Sequence, residues 1–349
     1  MDDNNYQGYQ PQNNTPSGYV PPMQNNDSFF ENRIDLSTVR MALDKVRYEL
    51  KKVIVGQDNF IDLMLASILA NGHSLVEGVP GVAKTVTAKL LAKTIDTGFS
   101  RIQFTPDLMP SDVIGTSVFN NKTNEFEFVQ GPIFSNIVLI DEINRAPAKT
   151  QAALFEVMAE RQITVDGKTY QMRPPFLVFA TQNPIEQEGT YRLPEAQLDR
   201  FLFKIDVGYP SLEEEVKIIE GAHYRKEKQE TDLVQKVISA SEIAQYQELV
   251  KEIRVEQHLI RYIAQLVNNT RNNQFLFVGA SPRASLAILG ASKAFALMAG
   301  RDFVTPEDIK RAVYPVMQHR IIITPEREME GITADIILGQ IVDSVEIPR

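Results

Sequence analysis

Between residues 37 and 53 apolar side chains fall at Val39, Leu43, Val46, Leu50 and Val53. Steps of three and four place them on one face of a helix. A second apolar helix is predicted over residues 58–71, closed by Gly72, and a short apolar run then ends at Glu77. After a glycine-rich turn another helical pattern begins with Val86, Leu90 and Leu91. Residues 101–104 read as a strand, and 105–115 as a turn-rich segment with at most a short helix. Two β-prone runs within 116–130 flank Asn120–Asn124 and predict a hairpin. A second hairpin is predicted over 162–176, turning at Asp166-Gly167. The runs 137–140 and 177–180 are apolar throughout, as buried parallel strands require, and 201–207 reads as a third strand. Pro147 opens the helix that carries Leu154, Val157 and Met158, and Ser211 with Glu214 forms a capping box before the next one. Strands alternating with helices predict an α/β fold with a parallel sheet.

Near Thr231 the pattern becomes wholly helical, over 241–253, 256–270, 282–299, 306–317 and 326–343. A small all-α domain is therefore expected over 229–349, after an α/β domain over 31–228, with the boundary at 226–231. Residues 1–30 are rich in Asn, Gln, Pro, Tyr and Gly and hold no Lys or Arg. Such a segment buries too little apolar surface to offset its ordering entropy, so a disordered tail is expected, or a segment that binds partners.

Composition narrows the chemistry. The absence of cysteine excludes disulfides and thiolate metal sites and fits a reducing compartment. A net charge of −9 argues against a nucleic-acid motor. His73, His223, His258 and His319 have no metal-ligand spacing. No run of 18 apolar residues and no charged-then-apolar leader is present, so a cytoplasmic location is expected.

The chemistry centres on Gly78, Val79, Pro80, Gly81, Val82, Ala83, Lys84, Thr85 and Val86, between a strand and a helix. Glycines let backbone N–H groups turn inward around phosphate oxygens, and the helix N-terminus adds partial positive charge. Lys84 can reach the β and γ phosphates of ATP, and Thr85 can place its hydroxyl on Mg²⁺. The strict phosphate-loop pattern has glycine where this chain has Ala83. The apolar run Val138-Leu139-Ile140 ends in Asp141-Glu142. Asp141 is suited to orient Mg²⁺, and Glu142 to polarise an attacking water as general base. Asn183 could position that water, or be a turn residue before Pro184. Arg200 and Arg283, each at a helix end, would individually read as surface or salt-bridged arginines.

Taken in order, these segments resemble an AAA+ ATPase of the MoxR family over about residues 38–345. EGVPGVAKT resembles its Walker A segment, LIDEINRAP its Walker B, ATQNP its sensor 1, LPEAQLDRF its arginine-finger box and GASPRA its sensor 2. The resemblance implies a P-loop core with two hairpin insertions and a small α-helical lid. It also implies that Val55, Gly56 and Gln57, in the IVGQ segment, cup the adenine and that Asn183 senses the γ-phosphate. Arg283 would reach that phosphate from the lid, and Arg200 would project into a neighbouring subunit's nucleotide. A homo-oligomeric ring, usually hexameric, follows as an expectation. So does a partner with a von Willebrand factor A domain, in maturation or metal insertion of other proteins. Arg145 and Arg192 lie beside these motifs without an assigned role. The leading expectation is a Mg-dependent ATPase acting as a chaperone-like remodeller. An ATP-gated assembly scaffold is the alternative, and a DNA-remodelling motor is disfavoured by the acidic balance.

Overall fold

The computed structural model describes residues 35–183, 191, 193–225 and 229–347. The Asn/Gln/Pro-rich segment, Arg192 and part of the expected domain boundary lie outside the described residues.

The core is a five-stranded sheet built from β1 (Ser74–Gly78), β2 (Phe99–Gln103), β5 (Ile137–Asp141), β8 (Leu177–Gln182) and β9 (Phe203–Val207). Its order is β2-β5-β8-β1-β9 and every pairing is parallel. All five residues of β5 are buried, and so are the first five of β8, which is why both read as unbroken apolar runs. Helices α1 (Ser37–Lys51), α2 (Asp58–Leu69) and α3 (Lys84–Thr94) pack in one cluster with Val76, Leu139, Phe179 and Ile205. A second cluster joins Val138, Ile140 and Val178 to Leu154, Val157 and Met158 of α5 (Ala148–Glu160). The two faces of the sheet are thus covered by different elements, and the strands' carboxyl ends converge on one edge.

A short helix, α4 (Pro110–Ile114), leads into the hairpin of β3 (Gly115–Asn120) and β4 (Glu125–Gln130). The other expected hairpin pairs β6 (Gln162–Val165) with β7 (Lys168–Gln171) and is shorter than its sequence window. Asp166 and Gly167 have φ +51° and +75°, the two positive values that a tight type I′ turn needs. The hairpins touch each other. Phe128 and Tyr170 lie 4.6 Å apart between ring centres, and the Ser117 hydroxyl donates to the Asp166 carboxylate.

Before β9 comes α6 (Glu195–Leu198), and after it α7 (Leu212–Arg225), whose capping box is formed by Ser211 and Glu214 as expected. The lid holds α8 (Ala240–Glu252), α9 (Gln257–Arg271), α10 (Pro282–Met298) and α11 (Pro306–Met317). It differs from the sequence expectation in two ways. A short antiparallel ladder pairs β10 (Leu276–Val278) with β11 (Ile322–Ile323), runs too short to register as alternation. The final helix over 326–343 is broken into α12 (Pro325–Met329) and α13 (Ala334–Ser344). Gly331, at φ +79°, takes the left-handed conformation that ends helices. Lid and core share one apolar cluster, with Ala291, Phe295 and Leu297 of α10 joined to Leu43 and Leu65.

His73 ties the sheet together. Its Nδ1 accepts from the Val178 N–H at 2.9 Å, so its Nε2 donates to the Met158 carbonyl at 3.1 Å. Burial, helped by the Arg161 charge, pushes its pKa from 6.5 down to about 4. The unfolded chain therefore takes up this proton first as pH falls. Stability should decline between about pH 6.5 and 4, by up to about 3 kcal/mol from this group, and its contribution should level off below. NMR titration of the ring should show a midpoint near 4; a midpoint near 6.5 would contradict this.

Candidate nucleotide site

A concave pocket of about 350 Å³ opens where β1, β5 and β8 end. From the phosphate loop it is lined by Pro80, Gly81, Ala83, Lys84, Thr85 and Val86. Gly78 and Val82 are buried beneath the loop and Val79 packs against the core. The Lys84 ammonium donates to the Gly78 carbonyl at 2.5 Å. Partial burial lowers its pKa, opposed by the charges of Asp141, Glu142 and Glu77. A lysine whose ammonium opens on the loop pocket is suited to donate to phosphate oxygens.

Ala83 has φ +60°, the left-handed conformation that explains why glycine stands there in the strict pattern. A Cβ in that conformation costs about 1–2 kcal/mol, partly offset by the smaller backbone entropy that alanine loses on folding. Ala83→Gly should therefore raise stability by up to about 1 kcal/mol, read as a higher urea midpoint. A lower midpoint would show that the Ala83 methyl group packs more favourably than its backbone strain costs.

The carboxylates sit opposite the loop. Asp141 ends β5 and is buried; Glu142 follows at φ +58°. The Thr181 hydroxyl donates to Asp141 Oδ1 at 3.2 Å and accepts the Glu142 N–H at 3.1 Å. The Arg101 guanidinium holds Asp141 Oδ2 at 2.5 Å. Gln103 donates to Glu142 Oε2 at 2.8 Å, and Arg145 pairs with the same oxygen at 3.0 Å. Asn183, one residue past β8 and buried, lines the same pocket. Glu142, Asn183, Lys84, Thr85 and Asp141 are thus brought together as their spacing along the chain suggested.

Asp141 and Thr85 offer a carboxylate and a hydroxyl, the hard oxygen donors that suit Mg²⁺, which keeps waters and phosphate oxygens for its other positions. The Arg101 contact shows that Asp141 already accommodates a positive charge there. Among the described residues no group of three or more His, Cys, Asp or Glu could hold an ion alone.

Other expected residues lie elsewhere. Val55, Gly56 and Gln57 are not among the pocket's lining residues; Gln57 Nε2 donates to the Gly208 carbonyl at 3.2 Å. Arg200 is exposed, with one long hydrogen bond of 3.4 Å to the Phe155 carbonyl. Arg283, expected to reach the γ-phosphate from the lid, is not among the pocket's lining residues and lies 3.7 Å from Asp199. A third arginine, Arg320, its side chain only 4 % exposed, holds Asp199 at 2.7 Å and the Phe201 carbonyl at 2.6 Å, tying the lid to the segment before β9.

Arg101, Gln103 and Arg320 were not legible beforehand. Arg101 and Gln103 alternate along β2, and their meaning depends on β2 lying beside β5, with Gln103 opposite Asp141. Arg320 follows a helix end some 120 residues from its partner, and no local pattern marks it.

The chain matches known proteins along most of its length. Residues 73–203 match the model of the ATPase family associated with various cellular activities, and residues 268–341 that of the AAA lid domain. An uncharacterised protein, YeaC of Bacillus subtilis, is 46% identical over 88% of this chain and 95% of its own. Chaperone MoxR1 of Mycobacterium tuberculosis is 44% identical over 88% and 83%. Protein MoxR of Methylorubrum extorquens is 29% identical over 84% and 91%. The crystal structure of a candidate ATPase from Cytophaga hutchinsonii superposes with a TM-score of 0.84 at 42% identity, over 90% of this chain and 97% of that one.

Proposed function

The chain belongs to the MoxR family of AAA+ ATPases, and from that premise we propose that it hydrolyses Mg·ATP at sites completed between the subunits of a homo-oligomeric ring. The observation that carries this reading is a division of labour. Lys84, Thr85, Asp141, Glu142 and Asn183 share one pocket, whereas neither Arg200, on the Phe155 carbonyl, nor Arg283, beside Asp199, is among its lining residues. Two cations outside their own pocket suit the pocket of a neighbour.

Within one pocket, Lys84 and the loop N–H groups hold the β and γ phosphates. Thr85 and Asp141 would hold Mg²⁺, which neutralises phosphate charge when bound. Asp141 is then shared with, or released by, Arg101. Glu142 accepts a proton from the attacking water, which Asn183 orients. Gln103 and Arg145 hold Glu142 in the conformation seen here, so turnover needs one of these contacts to loosen. The Gly56–Gln57 segment contributes to the adenine side, and Arg200 and Arg283 come from the neighbour.

The biological role is chaperone-like remodelling of a protein client in the cytoplasm, consistent with the name of the Mycobacterium tuberculosis relative. Maturation or metal insertion, with a partner carrying a von Willebrand factor A domain, is the form we favour. Among the described residues no helix is long and apolar enough to cross a membrane. Glu125 and Glu127 on the β4 strand give the first hairpin an acidic surface that suits a protein client better than a nucleic acid. Affinity capture with Glu142→Gln, with and without ATP, tests the role. Nucleotide-dependent recovery of one client or partner supports it; salt-dependent retention of DNA alone contradicts it.

A further inference from the structure

Asp141 is engaged on both oxygens. The Thr181 hydroxyl donates to Oδ1 at 3.2 Å, and the Arg101 guanidinium holds Oδ2 at 2.5 Å. Strand pairing sets up the second contact. Arg101 stands opposite Leu139 and Gln103 opposite Asp141, so these four side chains share one face of the sheet. Leu139 packs in one cluster with Leu90 and Leu91 of α3, the helix that Lys84 and Thr85 begin. Arg101 therefore meets Asp141 on the phosphate-loop side, and it lines the same pocket as Lys84 and Thr85.

The two partners differ in freedom. The Arg101 side chain is 54% exposed and that of Asp141 only 10%. The guanidinium can leave without crossing packed side chains, whereas the carboxylate stays. Among the described lining residues the charges balance, with Lys84 and Arg101 against Asp141 and Glu142. A divalent cation on Asp141 adds positive charge beside Arg101, and like charges a few ångströms apart repel strongly where water is scarce. Nucleotide phosphates supply new acceptors, since the planar fork of arginine pairs with phosphate as well as with carboxylate.

We propose that Arg101 is an exchangeable counter-ion, which neutralises Asp141 until Mg²⁺ takes that carboxylate and then turns to the phosphates of the bound nucleotide. This rests on the Mg·ATP reading above, and it selects release of Asp141 over sharing. Arg101 thereby acts oppositely on the two ligands. It holds metal off Asp141 while no nucleotide is bound, and it spares metal-free ATP the repulsion of a bare carboxylate.

Loss of an ordinary strand-edge ion pair would not shift two affinities in opposite senses. Mn²⁺, followed by electron paramagnetic resonance, is the metal probe. Without nucleotide, Arg101→Gln should bind Mn²⁺ about tenfold or more tightly than the wild type, and in EDTA it should bind ATP about tenfold or more weakly. Its affinity for Mg·ATP should move by less than about threefold, because a lost phosphate contact is offset by a carboxylate already free for the metal. Arg101→Lys keeps the charge and should show neither large shift. Mn²⁺ binding to the lysine variant as tight as to the glutamine one would overturn the proposal. So would Mn²⁺ and metal-free ATP affinities that both stay unchanged in Arg101→Gln, or ATP and Mg·ATP affinities that fall by one common factor. Each of these leaves the ATPase reading standing. A wild type that binds ATP neither in EDTA nor with Mg²⁺ would remove that reading and the exchange together.

Discussion

Arg200→Ala should abolish ATP turnover while each subunit still binds ATP. Arg200 lies outside its own pocket, so removing it takes nothing from phosphate or adenine contacts within the chain. On the proposed ring, what is lost is a charge brought to a neighbour's transferring phosphate, an effect worth about 10³- to 10⁵-fold in rate. Among the described residues its side chain makes one long bond, to the Phe155 carbonyl, so folding should change little. Fluorescent-nucleotide titration beside phosphate release separates the two effects. Weakened binding with proportionate activity would place Arg200 in ordinary ground-state recognition instead. Asp199→Ala makes a useful companion, because it frees Arg283 and leaves the guanidinium of Arg320, held well inside the protein, without its carboxylate. It should cost stability as well as rate.

Glu142→Gln should lower turnover by about 10²- to 10⁴-fold with ATP affinity kept. The amide preserves the shape of the side chain at a residue whose backbone is already in a left-handed conformation. It can still bond to Gln103, but it cannot take a proton from water. Single-turnover measurement with bound ATP reads the chemical step directly. Retention of most of the wild-type rate would move the base elsewhere and leave Glu142 a positioning role through Gln103 and Arg145.

The parts of the site that local sequence reveals are those built from contiguous residues. The phosphate loop, the Asp141-Glu142 strand end and the Asp166-Gly167 turn each show their chemistry within a few positions. Asn183 was readable because an apolar strand points it at the same edge. The remainder depends on strand order. With β8 inserted between β1 and β5 and β2 beyond them, Arg101 and Gln103 become contacts of the two carboxylates, which no spacing along the chain encodes. Arg283 shows the same limit from the other side. Its helix start was legible, but its partner is Asp199, a residue of a distant segment that Arg320 also holds. In the lid, the apolar periodicity over 326–343 overstated one helix, since a single left-handed glycine outweighs the pattern around it.

The division of catalytic residues between two subunits is tested most directly by mixing two inactive variants. Lys84→Ala lacks a working phosphate site but keeps its Arg200; Arg200→Ala keeps the site and lacks the finger. Each alone should be nearly silent in ATP hydrolysis. Combined, they should regain a measurable part of wild-type activity, increasing with total protein concentration as mixed rings place an intact finger beside an intact site. Mixtures that co-assemble yet stay silent, or an Arg200→Ala variant that is fully active at concentrations where it is monomeric, would contradict a site shared between neighbours.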